Sequence, residues 1–114
     1  MSAAALSNGG SIYPPLLTIG VRTPHQGWVI LPTEGKRGSL PSSGINAATK
    51  LLAVEGAPYW LSLAITHNQS GPITWCIGGT LNNWQGAPLA VAVVLEENSP
   101  LAAQKICSEM LSNN

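Results

Sequence analysis

Aspartate and phenylalanine are both absent from this chain, and charge of either sign is scarce. Only 9% of its 114 residues are charged, far below the quarter or so usual in globular proteins. Solubility therefore rests on Ser, Thr, Asn, Gln and Gly, and a surface this poor in charge is expected to pack in part against something else. The five basic residues are scattered, with only Lys36 and Arg37 adjacent. A nucleic-acid binder needs a clustered basic face to neutralise phosphates, so that class is set aside. Long hydrophobic runs are missing as well. The longest, Leu89 to Leu95, is far short of the roughly twenty residues of a membrane-spanning helix. No basic region precedes the apolar N-terminus, so no targeting signal is read in this chain.

The absences extend to chemistry. Without aspartate there is no Ser-His-Asp relay, and the Gly-x-Ser-x-Gly elbow does not occur. The two histidines, His25 and His67, fall in a turn and at a strand end, where His67 reads as a loop residue rather than a general base. Cys76, Cys107, His25 and His67 show no paired metal-ligand spacing, so no metal site is expected. The carboxylates are Glu34, Glu55, Glu96, Glu97 and Glu109; Glu96 and Glu97 are consecutive and read as a solvated strand end, not a glycosidase pair. Gly78-Gly79 without a Walker motif signals no phosphate site. No catalytic, cofactor-binding or metal residue is therefore assigned. A disulfide between Cys76 and Cys107 would need Cα atoms within about 7 Å; two buried thiols acting as small apolar side chains is the expectation. Asn68-Gln69-Ser70 fits the glycosylation triplet, a pattern too common to carry weight.

What is present is order along the chain. Met1 to Leu6 are small or apolar helix formers, and Asn8-Gly9-Gly10 reads as a left-handed cap. The helix ends almost as soon as it begins, which suggests that its natural start lies upstream. Pro14-Pro15 excludes helix; Leu16, Leu17, Ile19 and Val21 suit a strand, Thr23 to Gly27 a turn, and Trp28 to Leu31 a second strand. Thr33 to Ser42 is a punctuated, exposed loop. Ser43 is a candidate cap for a helix over about residues 44–55, with Ile45, Ala48, Leu51, Leu52 and Val54 on one face, closed by Gly56 and Pro58. Tyr59 to Thr66 and Ile73 to Thr80 are strands, the second interrupted at Gly78-Gly79. Pro88 to Leu95 is apolar on both faces, the pattern of a central, buried strand. Ser99-Pro100 opens a last helix with Ala102, Ala103, Ile106, Cys107, Met110 and Leu111 as its apolar stripe, and Ser112-Asn113-Asn114 frays. Trp28, Trp60 and Trp75 are expected in the core, and Trp84, in a turn-rich loop, outside it. The fold class is α+β: an antiparallel sheet of three main strands, a C-terminal helix packed on it and a second helix preceding it, in a single domain over residues 1–114.

Several of these segments, in order, resemble the last third of a penicillin-binding transpeptidase domain, of the serine β-lactamase-like fold. Ala4-Ala5-Leu6-Ser7-Asn8-Gly9-Gly10 followed by Pro14-Pro15 is similar to that family's helix ending in Asn-Gly-Gly. Tyr59 to Thr80 looks like its active-site hairpin, Leu89 to Glu96 like its apolar Val/Ala strand, and Ala102 to Leu111 like its closing helix. The resemblance implies a C-terminal subdomain of a larger domain, from a membrane-anchored, extracytoplasmic parent of peptidoglycan synthesis that binds stem peptides. Its partner would be the missing N-terminal part or another protein. The departures matter. No serine is followed three positions later by lysine, and by the resemblance both that pair and the family's Ser-x-Asn fall upstream of Met1. The family's Lys-Thr/Ser-Gly should lie on Tyr59 to Thr66, yet that strand has neither lysine nor glycine; Ser62 and Thr66 offer only hydroxyls. The chain alone is thus expected to be inactive, and its parent is put in doubt as an enzyme. The alternative is a self-contained, non-catalytic protein-binding or assembly module; a weaker one is carbohydrate binding through Trp84.

Overall fold

The computed structural model describes residues 1–16, 19–32, 35 and 37–112; Leu17, Thr33, Glu34 and Lys36, named above, and the Asn113-Asn114 tail lie outside them. Helix α1 (Ser2–Ser7) is followed by β1 (Ser11–Ile12), β2 (Gly20–Thr23), β3 (Gly27–Ile30), β4 (Gly38–Ser39) and helix α2 (Ser42–Leu52). Strands β5 (Tyr59–Asn68), β6 (Gly71–Thr80) and β7 (Ala90–Leu95) precede helix α3 (Pro100–Ser112). Strands β5, β6 and β7 form one antiparallel sheet with β6 in the middle, and α3 packs across it, so the fold is α+β. Two small antiparallel pairs, β1–β4 and β2–β3, complete the strands.

The β5–β6 hairpin turns on Gln69-Ser70, with Asn68 opposite Gly71. The Asn68 carboxamide accepts a hydrogen bond from Ser70 N–H at 2.8 Å, and Gly71 takes φ 131°, a value that residues with a Cβ rarely adopt. Side chains then alternate. Leu61, Thr74, Cys76, Gly78, Val91, Val93 and Leu95 point to α3, whose Ala103, Cys107 and Leu111 recur every fourth residue and are fully buried. This stripe is narrower than its sequence implies, because Ile106 and Met110 stay exposed. Gly78 does not interrupt β6; a Cβ there would stand 3.0 Å from Leu111 Cδ1 and 2.8 Å from the Trp60 carbonyl, so its bareness lets helix and strands close together. At the far end Thr74 is buried; its hydroxyl donates to the Glu97 carbonyl at 2.6 Å and accepts from Ser99 N–H at 3.0 Å. That pair of bonds aims the chain from β7 into α3, where Ala103 N–H bonds the Ser99 carbonyl.

Helix α1 ends as its sequence requires. Gly9 (φ 61°) and Gly10 (φ 94°) are left-handed, and Gly10 N–H reaches back to the Ala5 carbonyl at 2.7 Å. Helix α2 departs from expectation. It runs Ser42–Leu52, with Pro41 rather than Ser43 at its N-cap, and stops early because Ala53 enters a bridge with Trp60. Ile45 is its buried anchor, while Leu51 is 86% exposed.

Two larger departures concern what covers what. Strand β7, which reads as central, is an edge strand, with Val94 exposed, since among the described residues none pairs on its outer side. Only Trp60 of the expected core tryptophans is buried, whereas Trp28 and Trp75 are exposed. Trp28 sits on the β2–β3 hairpin with Val21 and Ile30, and that hairpin packs chiefly on itself. The radius of gyration is correspondingly large, 17.2 Å, against about 13 Å for a compact domain of this length.

Candidate functional site

The feature with the most to offer is the face of the β5–β6–β7 sheet turned away from α3. By the register it carries Ser62, Ala64 and Thr66 of β5, Ile73, Trp75 and Ile77 of β6, and Ala92 and Val94 of β7. None of these residues is charged. Trp75, at the centre, lies between Ala64 and Val94 and is 37% exposed; its Nε1–H donates to Thr66 Oγ1 at 3.0 Å. Among the described residues helix α1 covers one end of the face. There Trp60, 2% exposed, donates its Nε1–H to Ser7 Oγ at 3.2 Å, over Gly79. Beside this contact lie an apolar cavity of about 440 Å³ between α1, Tyr13 and Leu89, and a more polar one of about 250 Å³ walled by Asn8, Asn82 and Trp84. Trp84 is half-buried and forms one wall of that second recess.

The residues singled out from the sequence are not brought together. His25 is exposed in the β2–β3 turn and His67 is exposed near the end of β5, in different sheets. Ser62 is exposed on the open face, and the Thr66 hydroxyl is engaged by Trp75. Strand β5 offers no lysine at any point. Among the described carboxylates, Glu96 and Glu97 follow β7 and are exposed, and Glu109 pairs with Lys105 at 3.9 Å on the surface of α3. Arg37 stacks over Tyr13 at 5.4 Å. Among the described residues no group of three or more His, Cys, Asp or Glu could hold a metal ion. Among the described residues neither His25 nor His67 shares a hydrogen bond with a serine or cysteine. What this arrangement can do is bury apolar surface against another apolar layer.

The cysteines are free, fully buried and adjacent across the sheet–helix interface, with Cys107 Sγ–H directed at the Cys76 carbonyl at 3.5 Å. Burial pushes both thiols up. Cys107 reaches about 12, helped by its contact with Cys76, while that same contact partly lowers Cys76. Raised thiols are poor nucleophiles at neutral pH. The sign for stability follows: above the usual thiol range the unfolded chain releases protons that the native one keeps, so stability falls as pH rises. Urea midpoints are expected to be level through neutral pH and to drop from about pH 9 toward about 12. Cys107→Ala should flatten most of that drop; an equally steep decline in the variant would show that the thiols do not cause it.

The open face and the small α1 contact were both missed from the sequence. One signal was available: β6 alternates Thr74, Cys76 and Gly78 with Trp75 and Ile77, so both faces of that strand ask for cover. A scan against protein-family models finds no match for this chain, and searches of curated proteins and of solved structures find none either.

Proposed function

We propose that this chain is the C-terminal sheet-and-helix portion of a penicillin-binding transpeptidase-like domain, non-catalytic by itself, from a membrane-anchored parent that meets peptidoglycan stem peptides outside the cytoplasm. The observation that carries the reading is the uncharged open face of Trp75, Ile77, Ala92 and Val94. A sheet covered by α3 on one side and, among the described residues, by the short α1 at one end of the other has the form of a layered domain awaiting its second layer. The order of capped helix, hairpin, apolar strand and closing helix agrees with the resemblance, and so does Gly10's left-handed exit from α1. The missing lysine on β5 supports a non-catalytic role.

Incubation with a fluorescent penicillin, followed by intact-mass measurement, is expected to leave the chain unlabelled. A covalent adduct on any serine would overturn the non-catalytic role. The coding DNA read in frame upstream of Met1 is expected to encode a Ser-x-x-Lys pair on a helix, and a stop codon there without one would sink the family reading. No helix among the described residues is long and apolar enough to cross a membrane.

The second reading, an assembly module complete in itself, is favoured by one separate observation: among the described residues no strand pairs with the outer side of β7.

A further inference from the structure

The backbone phase of the sheet shows what that outer side presents. Antiparallel ladders alternate residue pairs that exchange hydrogen bonds with pairs that do not. Thr80 N–H donates to the Leu89 carbonyl at 3.0 Å, and the β6–β7 register from Gly79↔Ala90 to Thr74↔Leu95 continues that phase. Val91, Val93 and Leu95 therefore direct their N–H and carbonyl groups at β6, and Ala90, Ala92 and Val94 direct theirs outward. Edge strands are ordinarily blunted by lysine, proline or a bulge. Strand β7 has no charge and no proline, and its pairing with β6 runs unbroken. The opposite edge differs. The start of β5 is already engaged through the Ala53–Trp60 bridge and a bond from Val54 N–H to the Tyr59 carbonyl at 3.1 Å.

We propose that β7 is a self-association edge: Ala90–Val94 pairs antiparallel with the same segment of a second copy, about a twofold axis through Ala92. Two three-stranded sheets thereby become one continuous sheet. A strand on a twofold axis meets its own sequence reversed, so the occupant can be judged by its charges. With Ala92 on the axis, Ala90 faces Val94, Val91 faces Val93 and Glu96 faces Pro88, so no glutamate opposes another. All the outward groups of Ala90, Ala92 and Val94 find partners in that register. The apolar side chains of Ala92 and Val94 from both copies also join the two open faces into one surface. The inference deepens the assembly reading and stands apart from the peptidoglycan one.

Light scattering on the full chain in the tens-of-micromolar range is expected to give twice the 11.8 kDa of one copy. Ala92→Pro removes an outward N–H without breaking a bond to β6, an edge-strand setting that admits proline. It is expected to give a monomer with an unchanged far-ultraviolet spectrum. Ala92→Lys and Ala92→Glu place like charges on the axis; each alone should be monomeric, and their mixture should restore the dimer. Leu63→Pro, the equivalent change on the outer side of β5, should leave the dimer intact. A monomeric wild type overturns the proposal, as does a dimer that survives all three Ala92 variants. Open-ended growth in mass with concentration would also overturn it, since that marks head-to-tail pairing of β7 with β5. Neither the penicillin experiment nor the upstream reading frame depends on these outcomes.

Discussion

Replacing Trp60 by alanine is expected to lower the free energy of unfolding by about 3–5 kcal/mol, the cost typical of emptying a large aromatic site. The core of this chain is small. Among the described residues its fully enclosed large side chains are Trp60 and Leu111, with Thr74, Thr80, Cys76 and Cys107 around them. Trp60 also joins three elements: it lies on β5 opposite Gly79, it bridges to Ala53 at the end of α2, and its indole N–H binds Ser7 of α1. Small domains have total stabilities of about 5–15 kcal/mol, so such a loss leaves little. Urea titration followed by circular dichroism would measure it. Trp60→Phe separates the two contributions, since it keeps an aromatic ring and removes the donor; about 1 kcal/mol is expected for the lost bond to Ser7. A Trp60→Ala variant within about 1 kcal/mol of wild type would mean that the ring is not the centre of the core.

Gly79→Ala should be nearly as informative, for the opposite reason. A Cβ at Gly79 would collide with Ser7 Oγ and would stand 3.0 Å from the Leu89 carbonyl and 3.1 Å from Trp60 Nε1. Two of those atoms belong to the α1 contact, so the helix is the part that must yield. Overpacking of this kind costs about 1–3 kcal/mol, and here it should also uncover the end of the sheet. The decisive measurement is a double-mutant cycle with Ser7→Ala, which removes the colliding oxygen. The double variant is expected to be less destabilised than the two single losses combined, by about 0.5–3 kcal/mol. Strict additivity would show that α1 does not rest on Gly79. Gly44→Ala is a suitable control, because nothing lies within 4 Å of that position in α2; it should stabilise by about 0.5–1 kcal/mol through backbone entropy alone.

Local structure was largely legible because its causes are local. Asn8-Gly9-Gly10 stops α1 since glycine alone enters the left-handed region freely, and Gly9 and Gly10 do so. Ser99-Pro100 starts α3 because proline lacks only an N–H that the first turn does not use. The two strands of the hairpin and the turn between Thr23 and Gly27 were readable from alternation and glycine in the same way. Where the reading failed, the cause was distant. Helix α2 lost its last residues to a bridge with Trp60, seven positions beyond Ala53. Gly78-Gly79 looked like an interruption because a sequence shows missing side chains without showing that Leu111 and Ser7 approach that backbone. Trp28 and Trp75 read as core because a charge-poor chain without Phe must draw its large side chains from its other aromatics, and that demand does not say what is there to cover them.

The same distinction governs function. The absence of aspartate, of a clustered basic face and of a lysine on Tyr59 to Thr66 was decided by the sequence alone, because chemistry needs particular groups and an absent group cannot be supplied by folding. Scarcity of charge likewise announced a surface with little to keep it from a partner. Which surface that is, only the tertiary structure decided. Strand β7 carries the pattern of a strand with neighbours on both sides and above and below, and among the described residues pairing gives it β6 alone. Burial and strand order are relations between segments far apart in the chain, so an apolar run specifies that it needs cover while the assembled sheet determines which side and which edge lack it.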